Sequence, residues 1–191
     1  MPGMAMPATP TELPWTGVVL AGGRSSRMGQ DKARLPWQGQ PLLQHMVGLL
    51  QAAGAAQVVV SGDYPEAGGI ADGTPGLGPL GGIASVARTL PDGPLLLVPV
   101  DMPRLSAGLL AALAVQPGRC ACFQAHMLPM RLQLDAHLRA WLAQMPGLPP
   151  RQRSLQALHA AAAGAWLPLP AQADLQLGNF NTPQQWQEAL R

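Results

Sequence analysis

An α/β fold, with a mostly parallel central sheet and helices on both faces, is what this sequence predicts. Short apolar runs alternate with stretches of helical spacing along most of the chain. The most apolar run, "GPLLLVPVDMP", has the length and continuity of a strand buried on both faces. Polar chemistry collects directly after the apolar runs, and ligands in such sheets bind beyond the carboxyl ends of strands.

"TGVVLAGG" reads as a short buried strand running into a loop. "QPLLQHMVGLLQAAG" places Leu42, Leu43, Met46, Leu49 and Leu50 on one helical face, with Gly54 as the stop. "AAQVVVSGD" is a second strand and "GGIADG" a short third. "GPLGGIASVARTL" opens a helix at Pro79, and Pro91 ends it. After "GPLLLVPVDMP" comes a helix over "SAGLLAALAVQ", capped by Ser106. "GRCACFQAH" and "MLPMRLQL" are two further strands, "DAHLRAWLAQM" a helix capped by Asp135, and "RQRSLQALHAAAAGA" another helix. "WLPLP" and "LQLGNFN" read as extended, and "TPQQWQEALR" as a closing helix with Thr182 as N-cap and Pro183 at its first position. Residues 1 to 14 read as a loose tail lacking the cationic and apolar regions of a signal peptide.

Apolar residues make up 48% of the 191 and charged ones 12%, enough to bury a sizeable core and too apolar for a disordered chain. A formal charge of +2, with no basic stripe, argues against nucleic acid as a partner. No apolar stretch is long enough to predict a membrane span. Cys120 and Cys122 lack the ligand count of a structural zinc site and read as small buried hydrophobes. The absence of a disulfide framework suits a reducing cytoplasm. His45, His126, His137 and His159 show no ligand spacing, and Trp141, Trp166 and Trp186 read as packing anchors.

The cations matter by position. In "VVLAGGRSSRMGQDKARLPW", Gly22, Gly23 and Gly29 let the backbone turn and approach a ligand. Arg24, Arg27, Lys32 and Arg34 add positive charge around that turn. Amides and cations at a strand's end suit phosphate oxygens. The loop is neither a G-x-x-x-x-G-K-[ST] nor a G-x-G-x-x-G pattern. Asp101 closes the most apolar run, where an unpaired acid is costly, and Mg²⁺ would explain it beside a phosphate loop.

The stretch "LAGGRSSRMGQDKARLPWQGQPLLQH" resembles the signature loop of nucleotidyltransferases, in the form found in the molybdenum cofactor guanylyltransferases of the MobA family. "GPLGGIASV", "VPVDMPRL" and "GNFNTPQQW" are similar to later pieces of that family, so the resemblance spans residue 16 to about 190. It implies a Rossmann-like three-layer α/β/α sandwich, with residues 15 to 191 as a single domain. It also implies a cytoplasmic, monomeric enzyme that transfers GMP from GTP to molybdopterin with Mg²⁺ and releases diphosphate. Transient contacts with other cofactor-assembly proteins and acceptor molybdoenzymes go with that reading. Carried over by position, Leu20, Ala21 and Gly22 would meet the nucleotide through their backbone, Lys32 its phosphates, and Asp72 and Ser61 would also contact the nucleotide. Asp101 would hold the metal, Gly23, Arg27 and Gly29 would shape and charge the loop, and Asn179 and Asn181 would face the pterin. Lys32, Asp101 and Arg27 are the catalytic candidates.

The chain departs from the family in two places. Ser61 stands where an asparagine is common, and Pro129-Met130 replaces a His-Pro-Thr-like piece. A cytidylyltransferase is the close alternative, although Ala21-Gly22-Gly23 sides with guanine. A sugar-1-phosphate nucleotidyltransferase and a GTP-binding accessory module without turnover are the more distant ones.

Overall fold

The computed structural model describes residues 14–22, 31–74, 76–171, 173–180 and 182–189. The strands are β1 (Thr16–Leu20), β2 (Pro36–Trp37), β3 (Gln40–Pro41), β4 (Gln57–Ser61), β5 (Gly93–Pro99), β6 (Cys120–Phe123), β7 (Met130–Leu134) and β8 (Ala165–Leu167). The α-helices are α1 (Leu42–Ala52), α2 (Pro79–Ala87), α3 (Ala107–Ala114), α4 (Ala136–Gln144), α5 (Leu155–Ala161) and α6 (Pro183–Ala189). A six-stranded sheet runs in the order β4-β1-β5-β7-β6-β8, and β2 and β3 form a separate small hairpin. β1 pairs in parallel with β4 and β5, and β6 with β8. β7 alone is reversed, antiparallel to both β5 and β6.

Period-two alternation sorts the side chains into two cores. Val19, Leu96, Val98, Ala121 and Phe123 face one way, against Met46 and Leu50 of α1, Leu110 and Leu113 of α3 and Trp186 of α6. Val18, Leu95, Leu97, Cys120, Cys122, Met130 and Leu132 face the other way, against Leu80 and Ile83 of α2, Leu138 of α4 and Leu158 of α5. Helices therefore cover both faces of a mostly parallel sheet, the layering expected from the alternation of elements.

The caps expected at three helices are present. Ser106 Oγ accepts from Leu109 N, Asp135 Oδ1 from Leu138 N, and Thr182 Oγ1 from Gln185 N. Three expectations change. "GGIADG" contributes only a single bridge, Ser61 to Ile70, because a turn at Tyr64 to Gly69 uses up the connecting chain. α2 ends at Ala87, short of Pro91, as the chain tightens into the Arg88 N to Ser85 O and Thr89 N to Val86 O turns, and the Arg139 guanidinium reaches across from α4 to the carbonyls of Ala87 and Leu90 left free there. "LQLGNFN" begins inside a 3₁₀ turn over Ala173–Gln176 rather than extended. The 1–14 tail lies outside the described residues except for Pro14.

Helix α1 lies close against β1 because residue 17 is glycine. A Cβ there would come within 2.9 Å of Leu50 Cδ1 and 3.1 Å of Leu50 Cβ, and Leu50 is fully buried. Gly17→Ala is expected to destabilise the fold by about 1–3 kcal/mol through overpacking. Denaturant unfolding measures it, as a lower midpoint at unchanged slope.

Candidate active site

A cleft of about 480 Å³ opens at the carboxyl ends of β1 and β5. Leu20, Ala21, Gly22, Lys32, Asp101 and Asn179 all line it, so residues far apart in the chain meet where the strand polarity places a ligand. Lys32 Nζ lies 2.9 Å from Asp101 Oδ2, with the side chains 15% and 20% exposed. Two largely buried charges in such a place are tolerable because each compensates the other.

Each partner is held from behind. Lys32 opens a 3₁₀ turn, Lys32–Arg34, whose cap is Asp31: its Oδ1 accepts from Ala33 N at 3.0 Å. The Tyr64 hydroxyl donates to the same Oδ1 at 2.8 Å. Burial, then the hydrogen bond to Asp31, push the Tyr64 phenol well above its ordinary range, so it stays a donor. Arg34 pairs with Asp31 at 3.3 Å and with Glu66 at 2.8 Å, which joins the turn to the chain after β4. Asp101 follows directly on β5, and its carbonyl accepts from Phe180 N at 3.1 Å. That bond brings Asn179 to the cleft. Phe180 packs on Trp37 and Trp186 and lies under the Arg104 guanidinium at 5.3 Å.

The Ser61 carbonyl accepts from both Ala21 N and Gly22 N at 2.8 Å. Those two amides are thereby committed to the protein, and what Ala21 and Gly22 present to a ligand is surface and carbonyl oxygen. Ser61 itself is 1% exposed, and its hydroxyl sits where a Cβ at Gly82 would collide with it. Its short side chain packs against Gly82 at the start of α2, while its carbonyl braces the loop. Asp72 stands on the open side of the same glycines. A Cβ at Gly22 would come within 3.4 Å of its Oδ2, and one at Gly82 within 3.3 Å of its Oδ1. Asp72 Oδ1 is buried and has no hydrogen-bond partner among the described residues. Burial pushes this carboxyl above its ordinary value of 3.8. A buried acceptor without a protein donor is satisfied by water or by a ligand that brings one.

Gly23, Arg24, Arg27, Gly29 and Asn181 lie outside the described residues. Two features of the site have no counterpart in the sequence reading. Ala125 to Leu128, between β6 and β7, form the wall opposite Lys32, and His126 Nε2 stands 3.6 Å from Asp174 Oδ1. β5 and β6 are both antiparallel to β7 and so run in the same direction, which puts the connection after β6 at this end of the sheet. Tyr64 is the other, visible in sequence only as an aromatic in a turn. Of the tryptophans, Trp186 is buried as expected, whereas Trp166 is 48% exposed and lies over His159.

Glycines at a strand's end and a lysine–carboxylate pair in one cleft suit phosphate chemistry, and the class of protein to which fold and sequence both lead is the nucleotidyltransferase. Residues 17–162 match the MobA-like NTP transferase domain, and the chain belongs to that family. Its members act on nucleoside triphosphates, typically with a divalent metal ion. The chain is 52% identical over 179 residues to a molybdenum cofactor guanylyltransferase of Xanthomonas euvesicatoria, covering 93% of this chain and 95% of that one. It is 31% identical to a molybdenum cofactor guanylyltransferase of Pseudomonas fluorescens, covering 94% and 95%. The crystal structure of molybdopterin-guanine dinucleotide biosynthesis protein A from Archaeoglobus fulgidus shares the fold, with a TM-score of 0.69 at 18% identity over 92% of this chain and 96% of that one. No helix among the described residues is long and apolar enough to cross a membrane.

Asp72 carries a stability cost that its replacement exposes. A carboxyl whose pKa is raised on folding destabilises the fold once pH rises past its unfolded value, and costs nothing below it, where it is protonated in both states. Asp72→Asn is expected to raise the thermal midpoint of the ligand-free protein near pH 8. The gain should fade as pH falls toward 3.8. Calorimetric melting across that range measures it.

Proposed function

We propose that this protein is a molybdenum cofactor guanylyltransferase, which transfers GMP from GTP to molybdopterin and releases diphosphate. The observation that carries the reading is the Lys32–Asp101 pair at 2.9 Å in the cleft, with Asp72 beside Gly22 and its Oδ1 unpartnered among the described residues. The 52% identity to a guanylyltransferase over nearly the whole chain supports the same substrates. A guanine edge offers adjacent N–H donors, which suit a carboxylate placed beside the loop as Asp72 is beside Gly22.

Asp101 is the sole carboxylate among the described residues lining the cleft. That suits Mg²⁺, which is commonly bound by one or two carboxylates completed by substrate phosphates. Mg²⁺ held there would neutralise charge on the phosphoryl group under attack. The attacking group, the terminal phosphate of the pterin, is already an anion, so the protein supplies no nucleophile or base. One of its oxygens forms a bond to the α-phosphorus of GTP, and the bond from that phosphorus to the bridging oxygen of the leaving diphosphate breaks. Lys32 turns from Asp101 to the phosphates and offsets their charge. Ala21 and Gly22, braced by the Ser61 carbonyl, set the position of the nucleoside, and Asn179 faces the pterin with the Ala125 to Leu128 wall. Catalysis rests on alignment and electrostatics held in place before the substrates arrive. Arg27, Gly23, Gly29 and Asn181 complete this assignment from the signature residues. A monomer acting in the cytoplasm, in brief contact with other cofactor-assembly proteins and acceptor molybdoenzymes, is part of the same proposal.

Asp101→Ala is expected to lower turnover by about a hundredfold or more, with diphosphate release as the readout. Lys32→Ala is expected to raise KM for GTP and slow the reaction together. Supplying Mg²⁺ and molybdopterin with GTP or with CTP tests the base assignment: GTP alone should be consumed, and consumption of CTP alone contradicts it.

A further inference from the structure

On the α5 side of the sheet, away from the Lys32–Asp101 pair, two sulfurs and an imidazole come together. Cys120 and Cys122 alternate with Ala121 along β6 and so point to the same face, and His159 arrives from α5. One donor atom from each residue lies within 4.8 Å of the others. All three residues are buried, at 1%, 0% and 5% exposure. Nothing in the spacing of a Cys-x-Cys pair and a distant histidine reveals this, because the parallel pairing of β6 with β8 is what draws α5 over the strand.

The imidazole is held in one orientation. His159 Nε2 lies 3.3 Å from the Ala165 carbonyl oxygen. A carbonyl only accepts, so Nε2 carries the proton and Nδ1 keeps the lone pair, the arrangement that prepares a histidine to ligate. Trp166 lies over the ring with centroids 4.3 Å apart. Gly164 also closes on the ring, and a Cβ there would collide with it. The surrounding side chains, among them Met130, Leu132 and Leu158, are apolar and fully buried. An ion with bonds of about 2.0–2.3 Å in a trigonal plane sets its donors roughly 3.5–4 Å apart, so small side-chain movements suffice.

We propose that Cys120, Cys122 and His159 form a buried site for a single thiophilic cation, best matched by the cuprous ion. Sulfur donors select soft ions such as Cu(I) or Zn²⁺. Structural zinc almost always takes four ligands, and three donors in apolar surroundings leave its fourth position unfilled. Binding converts both thiols to thiolates and releases their two protons, with no change of oxidation state. The site also borders the catalytic cleft: Cys122 Sγ is 3.4 Å from the Met127 carbonyl oxygen, and Met127 belongs to the cleft wall. Loss of the Cys122 thiol proton on metal binding would break its hydrogen bond to the Met127 carbonyl, so occupancy of the site is coupled to that wall.

Anaerobic titration of the reduced, metal-free full chain with Cu(I) held by bicinchoninate tests this. The expected result is transfer of one ion per chain, with X-ray absorption showing two sulfur neighbours and one nitrogen. Cys120→Ser and His159→Gln should each weaken uptake by at least about tenfold. Gly164→Ala keeps every donor but displaces the ring, and it should weaken uptake too. No transfer to the native chain overturns the proposal, as does equal uptake by the double variant Cys120→Ser/Cys122→Ser. One-to-one binding of Zn²⁺ without Cu(I) overturns the choice of ion.

Discussion

The Lys32–Asp101 ion pair is the interaction on which the rest of this structure depends. It joins two opposite charges from distant parts of the chain at the mouth of one cleft, at 2.9 Å and largely out of water. Neither charge is comfortable there alone, since removing one partner of such a pair leaves the other uncompensated. In the proposed reaction both partners engage the nucleoside triphosphate and its metal, so on that reading the resting contact is also a poised one. Around it, the Asp31 cap, the Tyr64 hydroxyl and the Phe180 amide leave neither backbone much room to drift.

The sheet supplies the geometry for this pair. β1 and β5 run side by side in parallel, so the chain after Leu20 and the chain after Pro99 emerge together. β4, on the other side of β1, brings the Ser61 carbonyl to the amides of Ala21 and Gly22. β6 runs in the same direction as β5, both antiparallel to β7, so the connection after β6 lies at the same end and closes the cleft on its far side. Charge sits on one side of the cleft and the Ala125 to Leu128 wall on the other, which suits two substrates meeting in the middle.

Much of this was legible in the sequence because the physics is local. Continuous apolar runs mark buried strands, and Ser106, Asp135 and Thr182 cap helices by contacts three residues away. Asp101 stands out because charge directly after an apolar run is expensive without a purpose, and Lys32 because it belongs to the glycine- and cation-rich loop after β1. What escaped depends on packing at a distance. The carbonyls left free at the early end of α2 are met by Arg139 on another helix, and the role of Tyr64 is set by an aspartate on a different loop. Ser61, read as a nucleotide contact, braces the loop through its backbone, a property that side-chain identity does not announce. The gathering of Cys120, Cys122 and His159 follows from strand order alone.

The central claim is that the cation and the carboxylate separate when the nucleotide arrives, each taking a ligand in place of the other. A crystal structure with Mg²⁺ and a non-hydrolysable GTP analogue tests it most directly. The account predicts that Lys32 Nζ and Asp101 move beyond the ion-pair limit of about 4 Å, with the lysine on a phosphate oxygen and the carboxylate on the metal. A nucleotide bound while the pair keeps its 2.9 Å contact would contradict it.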